Sequence, residues 1–100
     1  MRGSYNLREW EVNHLTGRIF RDVERLLCGV DKKISYVRED VCPYNIDTIL
    51  TEQLGYEHLD EEQNNHDFWN FYKHPQTGVE LTVFVNVESF ELVMYLTEEE

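Results

Sequence analysis

Basic residues all but vanish after Arg38: from there to Glu100 the 100-residue chain has only Lys73 against fifteen acids. Residues 1–38 hold the other eight basic residues and five acids, so the net charge of −11 is unevenly spread. An acidic surface repels nucleic-acid phosphates and anionic lipid, and attracts basic protein surfaces through a field reaching about 8 Å at physiological salt. Nucleic acid as a direct ligand is therefore disfavoured. Aromatics on a sheet can read single strands, but such readers surround the rings with lysine and arginine, and the late chain has Lys73 alone.

Long apolar runs are also missing. None approaches the ~20 residues of a spanning helix, and residues 1–16 lack the basic-then-apolar order of a signal peptide, so a cytoplasmic protein with no membrane partner is expected. Cysteine is scarce: Cys28 and Cys42, without an export signal, are expected to be reduced thiols. The five glycines are scattered with no GxGxxG or GxxxxGK[ST] spacing, which excludes the phosphate-binding loops those motifs build. Two prolines, Pro43 and Pro75, and no repeat or linker leave nothing to divide the chain, so residues 1–100 are read as one domain. The opening MRGS matches a common expression leader and is set aside as residues 1–4; Glu98, Glu99 and Glu100 form an acidic tail.

What is present argues for a packed core, since 41% hydrophobic and 13% aromatic residues are too many for a disordered acidic chain. Leu15, Ile19, Val23, Leu26, Leu27 and Val30 recur at helical steps, with Asn13 as N-cap and Gly29 as stop. Arg18, Arg21 and Arg25 share a flank, where Arg18 can pair with Asp22. Leu7 and Trp10 fall off the apolar stripe, so Tyr5 to Val12 reads as a separate short helix. Residues 31–42 fit a short strand or extended connection, a possible fourth strand over 33–39. After Pro43, Asn45 would cap a helix turning Ile46, Ile49, Leu50 and Leu54 inward until Gly55.

The C-terminal part is the most specific. HPQTGV reads as a hairpin loop with Pro75 fixing φ and Gly78 in the left-handed region, so His74 faces Val79. That register pairs Tyr72 with Leu81, Asn70 with Val83 and Phe68 with Val85. A second turn around Glu88 and Ser89 pairs Val85 with Leu92, Val83 with Met94 and Leu81 with Leu96. Both turns put the same residues on one face. The expected fold is α+β, with N-terminal helices on a three-stranded antiparallel meander. The opposite face collects Trp69, Phe71, Thr82, Phe84, Val93 and Tyr95, bordered by Glu80, Asn86, Glu91 and Thr97, where a wet face should be polar. Either an N-terminal element bearing Trp10 covers this patch or a partner does.

Upstream of the meander, residues 57–67 crowd histidines and carboxylates into what reads as an acidic loop. A calcium loop is rejected, since Asn65 stands where glycine is required and Phe71 where a bidentate glutamate belongs. His58, His66 and His74 are eight residues apart, with no HExxH or paired-cysteine spacing, so no metal or cofactor is assigned. No nucleophile–base signature points to an enzyme. The function expected is a small acidic binding protein that inhibits or masks a positively charged partner, such as a nucleic-acid-binding enzyme or defence complex, by charge mimicry. Its contacts would be Glu57, Asp60, Glu61, Glu62, Asp67, Glu80, Glu88 and Glu91, with Trp69, Phe71, Phe84 and Tyr95 as anchors. The competing expectation is an interaction or homodimerisation module built on those rings, with the acids serving solubility.

Overall fold

The computed structural model describes residues 9–37 and 43–97, without the side chains of residues 9–13 and Tyr36. The order is α1 (Glu9–Leu27), β1 (Ile34–Val37), α2 (Pro43–Thr48) running into a π-helical turn (Ile49–Gln53), then β2 (Glu57–Asn64), β3 (Asp67–Lys73), β4 (Glu80–Asn86) and β5 (Glu91–Leu96). The strands form one antiparallel sheet in the order β1-β5-β4-β3-β2. The fold is α+β with an open five-stranded antiparallel sheet, and no described helix is long and apolar enough to cross a membrane.

All six cross-strand pairings expected from the two turns are present, and both turns have the chemistry that sets them. Gly78 has φ 75° and donates its N–H to His74 O at 3.1 Å, while His74 N–H donates to Val79 O at 2.8 Å. Leu81, Val83, Val85, Leu92, Met94 and Tyr72 consequently lie on one face, buried against Leu15, Ile19, Val23 and Leu26 of α1 and Ile46, Ile49 and Leu50 of α2 and its π-turn. Both helices thus pack on this face.

Several expectations need correcting. The meander is not limited to three strands. β1 adds to the free side of β5 over Ile34–Val37, within the 33–39 expected, of which residues 38 and 39 lie outside the described residues. Residues 57–67 are not a loop: Glu57–Asn64 is a strand paired with β3 through a turn at Asn65 and His66, with Asn65 at φ 57°. All eight β2 residues are exposed, so the strand carries no apolar alternation to reveal it. The N-terminal region is one helix from Glu9, with Asn13 inside it instead of at its cap. Only one apolar stripe is needed to anchor a helix, and the first turns continue beyond it. Tyr5 to Arg8 lie outside the described residues. Val30 belongs to no stripe and is 61% exposed, because α1 ends at Leu27. The end follows from Gly29 at φ 78°, whose N–H donates to Leu26 O while Val30 N–H donates to Arg25 O, a double closure of the last turn. Asn45 is not a cap either. Pro43 opens α2, since a first-turn proline has helical φ and no N–H to satisfy, and Asn45 falls inside the helix, 6% exposed.

The π-turn widens the end of α2. Leu54 N–H reaches Ile49 O at 3.0 Å, and Gly55 at φ 78° turns the chain into β2. Asp47 then accepts a hydrogen bond from Tyr72 Oη at 2.9 Å, fastening α2 to the sheet. Burial, and then the Asp47 contact, hold the Tyr72 phenol well above the usual range; burial pushes Tyr56 up to about 12. Both phenols are favoured neutral in the folded state. Their contribution to stability is complete below the unfolded phenol value of about 10 and is lost as pH rises above it, for Tyr56 across the window to about 12. Urea titrations should show stability flat from neutral pH to about 10 and falling above it, with Tyr56→Phe making the fall shallower. An equally steep fall in Tyr56→Phe would show that other groups govern it.

Candidate functional site

Cross-strand partners lie on the same side of a sheet, as do alternate residues along a strand. The register therefore lays out the face away from the helices as four rows. The first holds Glu57, Lys73 and Glu80; the second Asp60, Phe71, Thr82 and Tyr95. The third holds Glu62, Trp69, Phe84, Val93 and Ser35; the fourth Asn64, Asp67, Asn86, Glu91 and Val37. Two central aromatic rows thus lie between two polar ones. Trp69 and Phe84 stack across the β3–β4 pair with ring centroids 5.3 Å apart.

Of the twelve residues singled out from sequence, ten share this face: Glu57, Asp60, Glu62, Asp67, Glu80, Glu91, Trp69, Phe71, Phe84 and Tyr95. Glu61 is the exception within β2, projecting to the opposite face. Glu88 lies in the β4–β5 turn, where its Oε2 is 3.9 Å from His66 Nε2 of the β2–β3 turn. No described element packs over the rings, which are half-buried by their neighbours. The Trp10 side chain lies outside the described residues, but α1 itself packs on the other face.

Six carboxylates against Lys73 make the face strongly negative along β2 and at both ends of the strands. One margin differs. Lys32 and Lys33, in the loop entering β1, join Phe71, Thr82, Tyr95 and Thr97 around a cleft of about 700 Å³. Thr82, 2% exposed, shares a hydrogen bond with the Thr97 hydroxyl at its floor. Sequence reasoning did not place these lysines at the border of the face; setting β1 beside β5 was the step needed. Arg18, Arg21 and Arg25 belong to α1, in the layer behind the sheet, where Arg18 Nε is 3.9 Å from Asp22 Oδ2 and Arg25 Nε donates to Asp31 Oδ2 at 2.6 Å.

The histidines serve separate local contacts. His58 Nε2 shares a hydrogen bond with Asn70 Oδ1 at 2.8 Å, on the helix side of the sheet, and His74 Nδ1 accepts the N–H groups of Gln76 and Thr77. Among the described residues no three His, Cys, Asp or Glu side chains gather as a metal set. Cys28 is an exposed free thiol just beyond α1; Cys42 lies outside the described residues.

One side chain orders the acidic end of the face. Asn86 Nδ2 donates to Asp67 Oδ1 at 2.6 Å, and its Oδ1 accepts from Glu88 N–H at 2.9 Å, Ser89 N–H at 2.8 Å and Ser89 Oγ at 3.1 Å. It orients Asp67 and closes a turn whose last residue, Phe90, has φ 60°. No protein-family model, curated protein or solved structure matches the chain.

Asn86→Ala should lower stability by about 2 kcal/mol in chemical denaturation, since several partners lose their bond together. A double-mutant cycle on Trp69→Ala and Phe84→Ala should give a coupling of about 0.5–1 kcal/mol. Zero coupling would mean the two rings act independently in solution.

Proposed function

We propose that the chain is a small cytoplasmic binding protein that docks its open sheet face on a positively charged protein surface and masks it. The observation carrying this reading is the convergence of six carboxylates and a central aromatic patch on one face of the sheet. Carboxylates on a rigid sheet present negative charge at regular spacing, as a phosphate backbone does. A surface evolved for nucleic acid would meet them with its lysines and arginines, and the complementary charge would raise the association rate. The rings supply what charge cannot: apolar area that loses water on docking, the usual source of tight contact in an interface centre. The partner class is therefore a basic protein, such as a nucleic-acid-binding enzyme or defence complex. No reaction is assigned to the chain, and nucleic acid itself is not its ligand.

The reading is tested by capture from host lysate on the immobilised chain at low salt, followed by a salt gradient. A nucleic-acid-binding protein should be retained, elute with salt and be displaced by DNA. A variant combining Glu57→Gln, Asp60→Asn and Glu62→Gln, all exposed positions, should bind it about tenfold more weakly. Retention indifferent to salt and to the triple variant would overturn charge mimicry.

A further inference from the structure

The same face is charged unequally along the direction across the strands. At the β2 edge it ends in Asp60 and Glu62; at the β1 edge it ends in Lys32 and Lys33, beside Tyr95. Between the two margins lie the aromatic rows. Among the described residues neither lysine makes an ion pair. A second copy rotated by a half-turn about an axis parallel to the strands, through the β4 column at Thr82 and Phe84, keeps each row opposite itself and reverses its direction. The lysine margin of each copy then meets the β2 carboxylates of the other, twice by symmetry, and aromatic rows meet aromatic rows. The like charges that face each other, Glu80 with its counterpart and Asp67 with Glu91, fall in the outer rows at the strand ends. A half-turn about the perpendicular in-plane axis would instead set Asp60 against Glu62 of the other copy and lay β1 over β1, leaving each lysine margin away from the β2 carboxylates.

We infer that, free of its partner, the protein closes this face on a second copy of itself in the first arrangement, as an aligned sheet-on-sheet pair. Lysines of the second copy occupy the place of a partner's cations, so self-association and partner binding exclude each other. The inference rests on the reading of the face as a docking surface for cationic groups. Five strands at ~4.8 Å spacing and six steps of ~3.4 Å give about 500 Å² per protomer, about 1,000 Å² for the pair. That is at the lower limit for a specific interface, consistent with a dimer that a partner can dissociate. Stacked sheets lie ~10 Å apart, a gap a lysine side chain can reach across from its own sheet.

Sedimentation of the full chain at low ionic strength should show a monomer–dimer equilibrium with a dissociation constant on the order of micromolar. Lys32→Glu with Lys33→Glu should weaken the dimer about tenfold or more, as should Asp60→Lys with Glu62→Lys. An equimolar mixture of the two variants should recover a one-to-one dimer, because both charge contacts become attractive again. Phe84→Arg should abolish self-association without any charge swap at the margins. An oligolysine peptide should dissociate the wild-type dimer. A wild type monomeric at every concentration, or a mixture with no more dimer than its components, would overturn the inference, as would indifference to Phe84→Arg or oligolysine. The Lys32→Glu, Lys33→Glu variant separates the two readings, since its face is more acidic and should capture a basic partner at least as well. Capture by that variant without any wild-type dimer would leave only the docking function standing. A dimer dissociated by oligolysine, with no capture by the monomeric variant, would leave self-association and remove the partner.

Discussion

One constraint organises the molecule: the strict two-residue alternation of β3, β4 and β5. α1 and α2 need an apolar surface to cover, and Tyr72, Leu81, Val83, Val85, Leu92 and Met94 provide it only if those residues share a face. A shift of one residue in any strand would exchange the buried and open sets, so burial on one side dictates the composition of the other. Trp69, Phe71, Phe84 and Tyr95 are neighbours because the residues between them are committed to the core.

The edges have different constraints. β2 is exposed along its whole length, and a charged edge of that kind resists indiscriminate pairing with other strands. A register irregularity at Leu59, between His58 and Asp60, puts Glu57 as well as Asp60 and Glu62 on the open face. β1 does the opposite at the far edge, carrying two lysines of the basic early chain to a sheet otherwise made of the acidic late chain. The face acquires its asymmetry from this one connection between the two halves. Its chemistry is that of association, with apolar rings in the middle and charge at the margins.

Much of this was legible from residues alone, unevenly so. Two turns with distinctive residues, Pro75 to Gly78 and the Glu88–Ser89 region, fixed the pairing of three strands, and seven of the twelve candidate residues fell together as a result, while Glu57, Asp60 and Glu62 joined them through β2. β2 was obscured because a strand exposed on both faces has no hydrophobic period; the Asn65–His66 turn, with Asn65 suited to positive φ, was the available sign of it. The placement of Glu61 could not follow while that strand was read as a loop, whereas Glu88 lies in the turn where the sequence put it. Helix starts also misled: Asn13 and Asn45 resemble caps, but α1 begins upstream and α2 opens on Pro43.

The sequence by itself determined the meander, its register and the alternation that separates a helix-covered face from an aromatic one, because turn chemistry and a period of two are local properties. Tertiary structure decided what borders that aromatic face. Pairing of β1 with β5 and of β2 with β3 brings together segments far apart in the chain or without apolar pattern, and such contacts depend on the closure of the whole sheet. The arrangement of lysines at one margin and carboxylates at the other is set by those two edge pairings.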